Sequence, residues 1–359
     1  MKIGIVFPGY GSQFVGMGKD FYDESRVVQE YFEEANNCLG TNFVKLCFAS
    51  SDQELSEIPN AYAAIFLVEV ALYSVLLENG IKADQVAGLC IGRYAALFAA
   101  GGFSFPDGLY LLKKYAQFYS EALGTLDPKV IRITGISITI YNRVYNNFIM
   151  QVPDAQLALA VQYSKTDFML SGPRVQVELF EQELKQLKIK KLKIQDLNLA
   201  YDLHSMAMSG VADRLAEYLI KVDFKELKLP YISGISGKVI KTSKQIRTEL
   251  ISQITKPILW HKVQTQFADC DMIIEVGPSA VLTAGLQQLY PDKLILSFTK
   301  LADLDVIKEK LAQNNLNNSL EASNLENNSG ANLDQSNLEN NNNNPESIAE
   351  SNHELNRPE

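Results

Sequence analysis

The chain has 359 residues, 47% of them hydrophobic and 21% charged, enough to bury a sizeable core and to divide into more than one domain. Its net charge of −9 is mostly local: from Gln313 onward eight acidic residues face one arginine, so this tail carries −7 and the body only −2. A near-neutral body gives no electrostatic footprint for nucleic acid. Four cysteines without a CxxC pair or a histidine cluster argue against a disulfide scaffold and a zinc site, and for a reducing, cytoplasmic setting.

Ile3 to Phe7 reads as a buried strand, too short for a signal-peptide core, and runs into the glycine-rich turn Gly9-Tyr10-Gly11-Ser12-Gln13. Asp20 to Cys38 reads as one amphipathic helix. Ala61 to Glu78 reads as a buried helix; Glu69 interrupts its apolar run, which falls short of a membrane span. Gln85 to Gly88 ends a short strand, Tyr94 to Ala100 is a small-residue helical run, and Pro106 to Leu123 is a further helix. The texture then changes. Val130 to Ile138 is strand-like, Tyr141 to Met150 helical, Gln156 to Tyr163 and Asp167 to Ser171 are strands, Gln176 to Leu187 is a helix and Ile189 to Ile194 a strand. That βαββαβ order predicts a ferredoxin-like subdomain over 129–197, inserted into a larger α/β domain made of 1–128 and 198–300. Val211 to Ile220 is a strong helix, and Ile273 to Pro278 a strand and turn. Residues 313–359 are rich in Asn, Ser and Glu, repeat the unit Ser-Asn-Leu-Glu-Asn-Asn, and are expected to be a disordered tail.

The most informative stretch is Gly88-Leu89-Cys90-Ile91-Gly92. Glycines two residues either side of a nucleophilic side chain, between a strand and a helix, have the spacing of a nucleophile elbow. A small inert cysteine in a tight turn satisfies the same local pattern. A thiol nucleophile needs a base, and the chain has three histidines. His353 lies in the tail and His261 in a helical stretch after Trp260. His204 lies in Leu199-Ala200-Tyr201-Asp202-Leu203-His204, just after the inserted unit, and is the candidate base for Cys90 if it is not simply structural.

Taken together, these motifs resemble the malonyl-CoA:acyl-carrier-protein transacylases and the acyltransferase domains of polyketide synthases, over about residues 1–300. Phe7-Pro8-Gly9-Tyr10-Gly11-Ser12-Gln13 with Gly16-Met17-Gly18 is similar to the family's FPGQGSQ…GMG signature, and Gly88-Leu89-Cys90-Ile91-Gly92-Arg93 to its GHSxGE. His204-Ser205, Pro257 to Trp260 and Glu275-Val276-Gly277-Pro278 resemble its histidine, NPVxW and EVGP blocks. The resemblance implies an α/β-hydrolase-like acyltransferase domain carrying a ferredoxin-like subdomain. It also implies ping-pong transfer of an acyl group from acyl-CoA to the pantetheine thiol of acyl carrier protein, by a monomer without cofactor or metal. In that scheme Cys90 is the nucleophile, His204 the proton relay, and the backbone N–H groups of Tyr10 and Ile91 the oxyanion hole. A backbone carbonyl near Gln253 orients the histidine.

The departures matter as much as the matches. Cys90 stands for the family's serine, Leu89 for a histidine, Arg93 for a glutamate, and Tyr10 and Tyr62 for glutamines. Tyr115 stands where the family places the arginine that pairs with the malonyl carboxylate, and the adjacent Lys114 points about 100° around the helix. Arg93, one turn beyond Cys90, is expected with Tyr115 and Gln253 at the substrate site, the alternative for Arg93 being a surface salt bridge. Three readings follow: an active acyltransferase with altered acyl choice, a catalytically dead scaffold or binding module, and an acyl-thioester hydrolase.

Overall fold

The computed structural model describes residues 1–197 and 203–314, and both sheets and all the candidate site residues lie in one compact unit, Met1–Ile307. The expected tail, from 315 on, and the stretch 198–202 fall outside the described residues. The chain opens with β1 (Ile3–Phe7), five apolar or glycine residues that are all buried. Helices α1 (Lys19–Glu24) and α2 (Arg26–Leu39) follow. The single helix expected over Asp20 to Cys38 is thus two, because Ser25 adopts an extended backbone (φ −119°, ψ 120°) between them. Two short helices, α3 (Phe43–Ala49) and α4 (Asp52–Leu55), lead into α5 (Ile58–Glu78). Helix α5 is long and apolar enough to cross a membrane, yet every residue from Ala61 to Leu76 is buried in the protein. It is a core helix, apolar all round because protein surrounds it.

Strand β2 (Gln85–Gly88), a 3₁₀ turn (Cys90–Gly92) and α6 (Arg93–Ala99) form the strand-turn-helix unit that the glycine spacing predicts. Helix α7 (Phe105–Leu123) starts where Ser104 accepts a hydrogen bond from the Asp107 N–H, with Pro106 in the first turn.

The next six elements are β3 (Pro128–Thr134), α8 (Ile138–Gln151), β4 (Ala158–Gln162), β5 (Asp167–Pro173), α9 (Arg174–Gln186) and β6 (Lys193–Leu197). They make an antiparallel sheet of order β4-β5-β3-β6, the strand order of a ferredoxin-like βαββαβ unit. Ile131, Ile133, Phe168 and Leu170 of its strands share a core with Tyr141 and Phe148 of α8 and Val177, Phe180 and Leu184 of α9. Two sequence expectations shift here. Strand β3 stops at Thr134 because Gly135 takes positive φ (86°) and Ser137 caps α8. The strand expected over Ile189 to Ile194 begins only at Lys193, since Lys188 turns at φ 52° and Leu192 N–H closes a turn onto Ile189 O.

The chain then forms α10 (Ser209–Leu219), β7 (Tyr231–Ile232), β8 (Val239–Ile240), α11 (Ser243–Thr255), α12 (Trp260–Thr265), β9 (Met272–Val276), α13 (Thr283–Leu289) and β10 (Leu294–Phe298). The six-stranded sheet has the order β10-β9-β1-β2-β7-β8, parallel but for β8, which pairs antiparallel with β7. Because β1, β2 and β9 run in parallel, the loops after Phe7, Gly88 and Val276 emerge at one edge, where open α/β sheets gather their sites.

Candidate active site

Three glycines let the first two of those loops interlock. A Cβ on Gly92 would lie 1.7 Å from Pro8 O, one on Gly88 2.2 Å from Arg93 N, and one on Gly9 2.5 Å from Leu89 O. No side chain fits at any of the three. The compression leaves Cys90 at φ 49°, a left-handed backbone that non-glycine residues rarely adopt. His204 is held in the same region at φ 46°. Two strained residues far apart in sequence therefore meet: Cys90 Sγ lies 3.2 Å from His204 Nε2, both buried.

The other face of the imidazole fixes its chemistry. His204 Nδ1 lies 2.5 Å from the Gln253 carbonyl oxygen. A carbonyl only accepts, so Nδ1 carries the proton and, in the neutral ring, Nε2 is left to take one from the Cys90 thiol. That carbonyl is open for a reason legible in the chain. In helix α11 its intrahelical donor would be the N–H of residue 257, and residue 257 is Pro.

Two of the other three cysteines are buried away from any base. Burial pushes the Cys47 thiol up to about 12 and the Cys270 thiol up to about 11, so both stay protonated and inert. Ile91 follows Cys90 in the 3₁₀ turn, and Tyr10 follows Gly9, whose built Cβ would lie 3.3 Å from Cys90 Cβ. Tyr10 and Ile91 thus lie on the two loops that converge at the thiol. The Tyr10 hydroxyl donates to Ser56 O at 2.9 Å.

Arg93 departs from its expected position. It is fully buried, at neither an open pocket nor the protein surface. Its Nη1 donates to Gln253 Oε1, and its guanidinium lies 5.5 Å from the Tyr94 ring centre and 5.9 Å from that of Tyr115. Gln253, also fully buried, donates from Nε2 to Glu249 Oε1 at 2.8 Å, so its side chain is engaged within the protein and lines no open substrate surface. Tyr115 joins a row of rings with Tyr62 (5.7 Å) and Tyr119 (5.9 Å), and Tyr62 continues the row to Tyr10 (6.3 Å). The Tyr119 hydroxyl accepts from the N–H of Leu203, next to His204. Lys114 reaches the Tyr218 ring instead, at 5.1 Å.

Sequence reading missed Glu249 and Tyr119. Glu249 stands four residues before Gln253 on α11, a spacing that places both on one helix face. Tyr119 stands four residues after Tyr115 on α7 in the same way.

A cleft of about 470 Å³ reaches His204 and Ser205 from between Ala155–Leu159 on one side and Thr255 and Pro257 on the other, within the size range of small-molecule sites. Among the described residues no three His, Cys, Asp or Glu side chains are grouped as a metal would require.

Residues 5–304 match the family model described as the acyl transferase domain, so the chain belongs to that family. A malonyl CoA-acyl carrier protein transacylase of Bacillus subtilis (strain 168) is 30% identical over 290 residues, covering 80% of this chain and 90% of that protein. The enzyme of the same name from Escherichia coli (strain K12) is 29% identical over 300 residues, covering 82% and 95%. The crystal structure of the corresponding protein of Streptococcus pneumoniae superposes with a TM-score of 0.79 at 25% identity, over 86% of this chain and all of that one. The mixed α/β fold with its largely parallel sheet is the fold of these transacylases.

Proposed function

We propose that this chain transfers an acyl group of the malonyl type from coenzyme A to the pantetheine thiol of an acyl carrier protein, through a thioester on Cys90. The observation that carries this is the 3.2 Å approach of Cys90 Sγ to His204 Nε2 with both residues at positive φ. Its relatives' names supply the donor and acceptor classes.

His204 takes the thiol proton, and the Cys90 thiolate attacks the thioester carbonyl. The oxyanion forms against the N–H groups of Ile91 and Tyr10. Collapse breaks the bond to the CoA sulfur, which leaves with the proton held on His204. The carrier thiol then repeats the steps in reverse: it gives its proton to His204, attacks the Cys90 thioester and releases Cys90 as the thiol. All three acyl species are thioesters of similar energy, so the transfer runs in both directions. In this reading 129–197 is the inserted subdomain that walls the cleft at Ala155–Leu159, and the protein works as a monomer in the cytoplasm.

The test is intact-protein mass after brief incubation with malonyl-CoA, acetyl-CoA and a longer acyl-CoA. A single adduct, absent in Cys90→Ala and discharged by a carrier protein, supports transfer, and its mass identifies the acyl group. Adduct lost to water without a carrier makes the protein a hydrolase. No adduct and no released CoA from any donor leaves a binding module.

A further inference from the structure

Arg93 and Glu249 are buried charges of opposite sign that do not touch substrate in the scheme above. Gln253 lies between them, with Oε1 toward Arg93 Nη1 and Nε2 2.8 Å from Glu249 Oε1. The charges specify the amide's orientation. Flipped, it would turn its NH₂ toward the guanidinium and its oxygen toward the carboxylate, and both contacts would repel. Glu249 is itself pinned, accepting from Ser233 Oγ at 2.7 Å and from the Gly234 N–H at 2.8 Å. A Cβ on Gly234 would meet Gln253 Nε2 at 3.3 Å, so the loop after β7 packs against that amide.

These contacts close a circuit. Cys90 Sγ meets His204 Nε2, His204 Nδ1 meets the Gln253 carbonyl, the Gln253 side chain meets Arg93, and Arg93 lies three residues from Cys90 in the elbow. We infer that Arg93 and Glu249 are positioning residues: together they hold Gln253, and through its carbonyl they set the His204 ring against Cys90. The cation in the elbow thus serves the base rather than the acyl group. This rests on the acyl-transfer reading only in needing the Cys90–His204 pair, and it can be tested without any acyl donor.

The probe is iodoacetamide at neutral pH, with alkylation of the Cys90 peptide followed by mass because Cys38 is an exposed thiol. His204→Ala is expected to slow alkylation about tenfold or more. Gln253→Met keeps the carbonyl and removes the anchor, and Arg93→Met removes the cation. Each is expected to slow alkylation about three- to tenfold, but by no more than about twofold when added to His204→Ala, since residues acting through one partner do not add. Arg93→Lys, which restores a donor, is expected to recover part of the rate. Nitrogen spectra of the three histidines supply a second reading: the protonated Nδ1 signal of His204 should weaken in Gln253→Met.

Wild-type alkylation rates in Gln253→Met and Arg93→Met, with His204→Ala slow, would overturn the inference and leave the acyl-transfer reading standing. Equal rates in wild type and His204→Ala would overturn both. Should Gln253→Met fail to fold, the Arg93→Met and Arg93→Lys pair decides by the same criteria.

Discussion

The two sheets treat their backbones in opposite ways. In the six-stranded sheet, β1, β2 and β9 are buried along their whole length, and the loops at their ends approach until no Cβ can be added at Gly88 or Gly92. In the antiparallel sheet one face of side chains packs into a core with α8 and α9, and the edge strand β6 has no buried residue. A direct bond between this sheet and the candidate site runs from Ser171 Oγ to Leu203 O, at 2.6 Å. The difference separates two tasks. Strain at Cys90 persists because backbone packed on backbone cannot give way, whereas packing of side chains around a separate core sets stability without setting that geometry.

The largest effect should come from adding one methyl group to the strained side. Gly92→Ala places a Cβ 1.7 Å from Pro8 O, a backbone atom that belongs to the neighbouring loop of the same edge. A loss of about 4 kcal/mol or more is expected, seen as a collapse of the thermal midpoint or of soluble yield. A folded Gly92→Ala with wild-type Cys90 alkylation would mean that the elbow is not rigid.

Next in size, and opposite in meaning, is Phe180→Ala. Phe180 is fully buried between α8, α9 and the small sheet. Truncation should cost about 3–5 kcal/mol in denaturant unfolding. Under conditions where the variant is folded, iodoacetamide should still alkylate Cys90 at a rate within about twofold of wild type, as expected for distant, independent sites. A several-fold slower rate would show that the small sheet does more than wall the cleft.

The same contrast explains what the sequence alone could reveal. The elbow was legible because its demand is local: two glycines around Cys90 at fixed spacing between a strand and a helix. The βαββαβ order was legible because periodicity changes element by element, although β6 slipped by four residues at its start where Lys188 takes a turn that lysine does not announce. Arg93 was misread because its partner stands 160 residues away, and an arginine one turn from a nucleophile looks the same whether it faces the pocket or the core. Pro257 carried a signal that motif matching alone did not interpret, namely an absent N–H that leaves the Gln253 carbonyl open. Glu249 showed nothing beyond its i, i+4 spacing to Gln253.

The smallest of the three effects concerns a second cost stored beside the parallel sheet. Glu69 of α5 is fully buried, and among the described residues neither of its carboxyl oxygens has a hydrogen-bond partner. Burial first, and then the neighbouring Glu275 carboxylate, push its pKa well above the usual carboxylate range. Glu275 is held by the N–H groups of Val281, Leu282 and Thr283, so the two acids compete for one charge and Glu275 is the better solvated by the protein. The sign of the pH dependence follows. Below the unfolded carboxyl pKa of about 4.3, Glu69 is protonated in both states and contributes no slope. Above it the unfolded chain releases the proton while the native state keeps it, so stability falls as pH rises toward the raised native value. Glu69→Gln carries no such proton. Its stability relative to wild type should therefore rise between pH 5 and pH 8, by about 1–3 kcal/mol, read from denaturant unfolding at the two pH values. An unchanged difference would mean that Glu69 is ionised in the native protein, and the parallel sheet would then hold two buried carboxylates rather than one.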